Sequence, residues 1–99
     1  MFLAGQGGFD EDHKLVEGGV AAETAQIFRN VAALLESVGA SLDDVVSCLV
    51  HLTDLEDFAA FNEEYAKHFP GEKPVRTTVR ADLVAGMRVE ITVVAKEPG

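Results

Sequence analysis

A chain of 99 residues, 47% hydrophobic and 25% charged, has the composition of one small globular domain spanning 1–99. Its 17 acidic against 8 basic side chains give a formal charge of −9, a field that repels RNA and DNA and argues against either as a general partner. No apolar run is long enough to span a bilayer, and Met1-Phe2-Leu3-Ala4 is too short for a secretion signal. The single cysteine, Cys48, cannot form an internal disulfide, so the reducing cytoplasm is the expected location.

Met1 to Ala4 reads as a short strand running into Gly5-Gln6-Gly7-Gly8. No Lys-Ser/Thr pair follows and no helix starts directly after, so this is not a P-loop. A tight turn or bulge, or a loop whose N–H groups face an anion, both fit. Phe9 to Val16 is a polar excursion. Its acids, Asp10, Glu11 and Asp12, lack the spacing of a calcium loop and are expected to be solvated. Val20 to Val38 has helical spacing. Thr24, Ile27, Val31, Leu34 or Leu35, and Val38 form the inner stripe; Glu23, Gln26, Arg29, Asn30 and Glu36 fill the opposite face. Gly39 supplies the stop.

Ser41-Leu42-Asp43-Asp44 has the form of a capping box and predicts one helical turn. Val45 to Thr53 then alternates as a strand. Val46, Cys48, Val50 and Leu52 make an apolar face; Ser47, Leu49, His51 and Thr53 make a mixed one. Cys48 on the apolar side reads as a small core residue. Asp54 caps a second helix, Leu55 to Phe69, with Leu55, Phe58, Phe61 or Asn62, Tyr65 and Phe69 inward. Pro70-Gly71 ends it.

Val75 to Arg80 and Arg88 to Val94 both alternate and predict an antiparallel hairpin that turns near Val84-Ala85-Gly86. Val75, Thr77 and Val79 would share the buried face with Val89, Ile91 and Val93. Arg76, Thr78, Arg80, Glu90 and Thr92 would share the other. In one register Thr78 lies opposite Glu90 with Arg76 on the diagonal, which brings an arginine and a glutamate into one patch. Such pairs are commonly ordinary surface pairs. The element order β-α-β-α-β-β predicts an α+β two-layer sandwich, a mixed sheet with both helices on one face. The uncovered sheet face, partly apolar, is expected to associate with other copies. His13, His51 and His68 lie on different predicted elements and lack ligand spacing, so neither metal nor cofactor is expected.

Four pieces in order resemble the RidA/YjgF family of reactive-intermediate imine deaminases, also called the endoribonuclease L-PSP family. They are Gly5-Gln6; Ala40-Ser41-Leu42-Asp43-Asp44-Val45-Val46 with Leu52-Thr53-Asp54; Asp57-Phe58 with Phe61-Asn62-Glu63 and Tyr65; and Pro74-Val75-Arg76-Thr77-Thr78-Val79 with Val89-Glu90-Ile91. The resemblance implies a chorismate-mutase-like homotrimer with sites in clefts between subunits. It implies hydrolysis of 2-imino acids to 2-keto acids and ammonia. Arg76 would bind the substrate carboxylate and Glu90 would hold or activate water. Gly5, Asn62 and Thr78 would line the cleft. The family's serine before the glycine is Ala4 here, the frequent cysteine two after the arginine is Thr78, and the N-terminal stretch with its site-lining tyrosine is expected to be absent.

The chemistry suits these residue types. A guanidinium holds a carboxylate through two parallel hydrogen bonds, and a protonated imine needs only a positioned water and a base. A trimer that binds small carboxylates without turning them over is the alternative, needing Arg76 but not Glu90. A nuclease or translation inhibitor is a third reading, disfavoured by the charge.

Overall fold

The computed structural model describes residues 1–98. The strands are Phe2–Gln6 (β1), Val45–Leu52 (β2), Val75–Arg80 (β3) and Val89–Ala95 (β4), and the helices are Gly19–Glu36 (α1) and Phe58–His68 (α2). They make the mixed α+β sandwich that the order of elements predicts. The sheet runs β1-β4-β2-β3; β2 and β3 are parallel, while β4 is antiparallel to both β1 and β2. Both helices pack into one core with the inward residues of the sheet. Ile27, Phe28, Val31 and Leu35 of α1 and Phe61 and Tyr65 of α2 meet Cys48, Val50, Val89, Ile91 and Val93. No helix among the described residues is long and apolar enough to cross a membrane.

Local signals hold where they rest on caps and glycines. The Ser41 hydroxyl accepts from Asp43 N–H, and Asp44 Oδ2 accepts from Ser41 N–H, completing the capping box. Gly39 and Gly86 both take positive φ. Asp54 accepts from Glu56 N–H, but it opens a separate 3₁₀ turn, Leu55–Asp57, before α2 begins. That turn leaves Leu55 and Phe58 exposed, outside the expected inner stripe. Leu35, not Leu34, is the core leucine, and Val38 lies past the end of α1. An irregularity between Val45 and Ser47 turns Val45 inward and leaves Val46 exposed.

The hairpin does not form. β4 pairs with β2, so β2 lies between β3 and β4, and the segment after Arg80 crosses the end of β2 instead of turning tightly. The cause is α2. A helix that joins two neighbouring strands returns the chain to its starting end, so β2 and β3 run parallel. The register pairs Cys48 with Arg76 and Val50 with Thr78. Paired residues share a face, so Arg76 and Thr78 lie on the helix side. Val75, Thr77 and Val79 lie on the open side, where Val75 is 72% exposed.

Glu23, expected on the solvated face of α1, is only 2% exposed. Its Oε1 accepts Arg88 N–H at 2.8 Å and so fastens the start of β4. Burial holds its carboxyl above the usual range, against the lowering pull of the Arg88 N–H bond and charge. Folding therefore favours the protonated acid, and this group's contribution is lost as pH rises through the raised value. Glu23→Gln keeps the acceptor and cannot ionise. Relative to the parent, its stability in urea unfolding is expected to improve as pH rises from the ordinary carboxylate range, about pH 4, through the raised value. Parallel stability curves would show that Glu23 does not titrate differently on folding.

Candidate functional site

Two groups of polar side chains stand out, and they lie on opposite sides of the sheet. The first sits where the edge strand β3 meets α2. Residues 58, 61, 62 and 65 fall at helical spacing on the α2 surface facing β3. They surround the Arg76 guanidinium, which lies 4.7 Å from the Tyr65 ring centroid and 5.5 Å from those of Phe58 and Phe61. Arg76 Nη1 donates to Asn62 Oδ1 at 2.6 Å. No acid pairs with this guanidinium among the described residues. Thr78 Oγ1, on the same face, is buried without a hydrogen-bond partner, as is the Tyr65 hydroxyl.

Chemically, this arrangement can receive a small anion. A guanidinium has five donors in a plane, and one is used to lock its orientation on Asn62. The rings of α2 line one side of it, and its remaining N–H groups suit a carboxylate. Cys48 lies beneath. Burial pushes its thiol above the ordinary range, against the lowering effect of Tyr65 and Arg76, so it stays protonated and is no nucleophile. Sequence reading took the aromatic stripe as plain core. The clue to its second role was Asn62, a polar residue inside that stripe.

The second group lies on the open face. Glu90 pairs directly across the strands with His51, and Glu90 Oε1 stands 3.8 Å from His51 Nδ1. Gly5 comes up from β1, where the register shifts between Leu3 and Gln6. A Cβ at position 5 would stand 2.7 Å from Glu90 Cδ, so only glycine lets the carboxylate lie this close to the β1 backbone. Glu90 and Gly5 border a cleft of about 800 Å³ that runs past the β1 edge to α1, lined also by Gln6, Phe9, Gln26, Asn30 and Met87. The glycines at 7 and 8 serve packing. A Cβ on Gly7 would collide with Met87 Sδ, and one on Gly8 would stand 2.7 Å from the Glu23 backbone. The reading of that loop as a tight turn or bulge therefore fits better than an anion cradle.

The predicted residues thus fall into two sets. Arg76, Asn62 and Thr78 come together; Gly5 and Glu90 come together. The shared Arg76/Glu90 patch does not exist within one chain, because β2 separates the strands and the side chains leave opposite faces. A small acid cannot touch both through the sheet of a single subunit.

Comparison with known proteins agrees with the fold. The sequence model described as endoribonuclease L-PSP matches residues 1–97. Protein HMF1 of Saccharomyces cerevisiae is 41% identical over 98% of this chain and 76% of its own length. The same yeast's protein MMF1, named as mitochondrial, is 38% identical over 98% of this chain and 68% of its own. The crystal structure of RidA from Psychrobacter sp. PAMC 21119 superposes with a TM-score of 0.90 at 41% identity. It covers 95% of this chain and 77% of that one.

Proposed function

Because the chain belongs to the endoribonuclease L-PSP family, which includes the RidA/YjgF proteins, we propose that it hydrolyses reactive 2-imino acids to 2-keto acids and ammonia. The observation that carries this reading is the Arg76 guanidinium, with which no acid among the described residues pairs, oriented by Asn62 and lined by three rings, with Thr78 on the same face.

The substrate carboxylate docks on Arg76 and fixes the C=N carbon. Glu90 of a neighbouring subunit holds a water against that carbon and takes its proton as the C–O bond forms. The proton then passes to nitrogen, the hydroxyl proton moves to Glu90 as the C–N bond breaks, and the released ammonia takes that proton and leaves as ammonium, which restores the carboxylate. A protonated imine is electrophilic already, so an ionised carboxylate is a sufficient base. The site needs no metal or cofactor for these steps.

Sites between subunits require an assembly. The open sheet face presents Phe2, 83% exposed, beside Val94 at the β1 edge, then Leu49 on β2, and Val75 and Val79 on β3 at the other edge. Turned towards a threefold axis, these faces would cover one another and bring Gly5 and Glu90 of one copy towards Arg76 of the next. Light scattering is expected to report three times the 10.6 kDa chain mass. A stable monomer at micromolar concentration would remove the assembly and the shared site with it.

The direct test is release of keto acid from freshly generated 2-iminobutanoate or 2-iminopropanoate. Acceleration over spontaneous hydrolysis supports the proposal, and none overturns it. A carboxylate carrier is the second reading, since the Arg76 cluster is complete without Glu90. It predicts 2-oxobutanoate binding with no turnover. The charge of −9 weighs against an RNA substrate.

A further inference from the structure

We infer that His51 is a positioning residue for Glu90, a role that rests on the deaminase reading. His51 sits on β2 directly opposite Glu90, on the open sheet face. Its Nδ1 is buried and has no hydrogen-bond partner, and the nearest acid is Glu90 Oε1 at 3.8 Å. A buried ring nitrogen without a partner is costly, and a small rotation of either side chain closes the gap. Catalytic hydrogen bonds are often long before substrate binds and shorten in the complex.

The neighbours leave Nδ1 few alternatives. On β3 the residue paired with His51 is Val79; the residues two before and two after it in the chain are Leu49 on β2 and Thr53 just past the end of β2. Arg88, just before β4, turns its guanidinium towards Asp57 at 3.7 Å. Glu90 is therefore the ionic partner within reach. With Nδ1–H bonded to Oε1, one carboxylate oxygen is occupied and the other is left for water. Gly5 packs against the same carboxyl from the β1 side. Imidazole and glycine together would hold the carboxylate in one rotamer, which is what a base aimed at one water requires.

The test separates this inference from the deaminase reading. His51→Phe is expected to lower kcat roughly 10- to 100-fold with KM little changed, because carboxylate binding belongs to Arg76. His51→Asn, which retains a donor, is expected to recover part of that loss. Independently of activity, nitrogen NMR of the His51 ring in the intact protein is expected to show the proton on Nδ1. Glu90→Ala should return the ring to an ordinary tautomer mixture. If the parent does not turn over imines, the deaminase reading fails while the NMR result still decides the pairing. A ring signature unaffected by Glu90→Ala, or full kcat in a folded His51→Phe, overturns the inference. If His51→Phe does not fold, His51→Asn and the ring signature decide it.

Discussion

Arg76→Ala is expected to abolish turnover and to remove measurable binding of 2-keto acids. Two charge-assisted hydrogen bonds of about 1.5–3 kcal/mol each would be lost, a roughly 10²- to 10⁴-fold weakening. Little else should change, since Arg76 lies on the edge strand and only its contacts to Asn62 and the rings go with it. Arg76→Lys separates charge from shape. An ammonium keeps the attraction but cannot present two parallel donors or hold the same seat on the rings, so binding should weaken without vanishing. Calorimetry with 2-oxobutanoate and the imine assay read both effects. Full activity in Arg76→Ala would show that the anion site lies elsewhere.

Glu90→Gln is expected to leave that binding intact and to lower kcat by roughly 10²- to 10⁴-fold, the range for a lost general base. Glutamine fills the same space against Gly5 and cannot accept the water's proton. Unchanged kcat would remove Glu90 from the chemistry. The two variants together test the placement of the site. Arg76 and Glu90 leave opposite faces of one sheet, so a working site must take one from each of two subunits. Mixed assemblies refolded from equal amounts of Arg76→Ala and Glu90→Gln chains should regain activity, with about one site in four holding both native residues. No recovery would mean that each site is confined to one subunit, and the sheet geometry would then exclude this pair.

Much of this was legible along the chain. The capping box at Ser41, the glycine stop at Gly39, the first helix and the last strand are local effects, and each appears within a residue or two of its expected place, while the second helix starts three residues late, after a 3₁₀ turn. The identities of Arg76, Glu90, Gly5, Asn62 and Thr78 as candidates came from motif resemblance. Glu23 was misplaced because its charge argued for solvent, while the backbone N–H of Arg88, 65 residues away, offered it a buried partner.

What the sequence determined by itself was the kind and order of elements and which residues share a face, because these follow from backbone periodicity and from contacts a few residues apart. Only the tertiary structure decided which strands pair and which face of β3 turns inward. Alternation is symmetric between the two faces, and β3 is an edge strand whose valines alone favour the wrong one. The crossover through α2 made β3 parallel to β2, and the register of Arg76 on Cys48 followed. Three aromatic rings and Asn62 then received the guanidinium on the helix side, and Glu90 was left with His51 and Gly5 on the other.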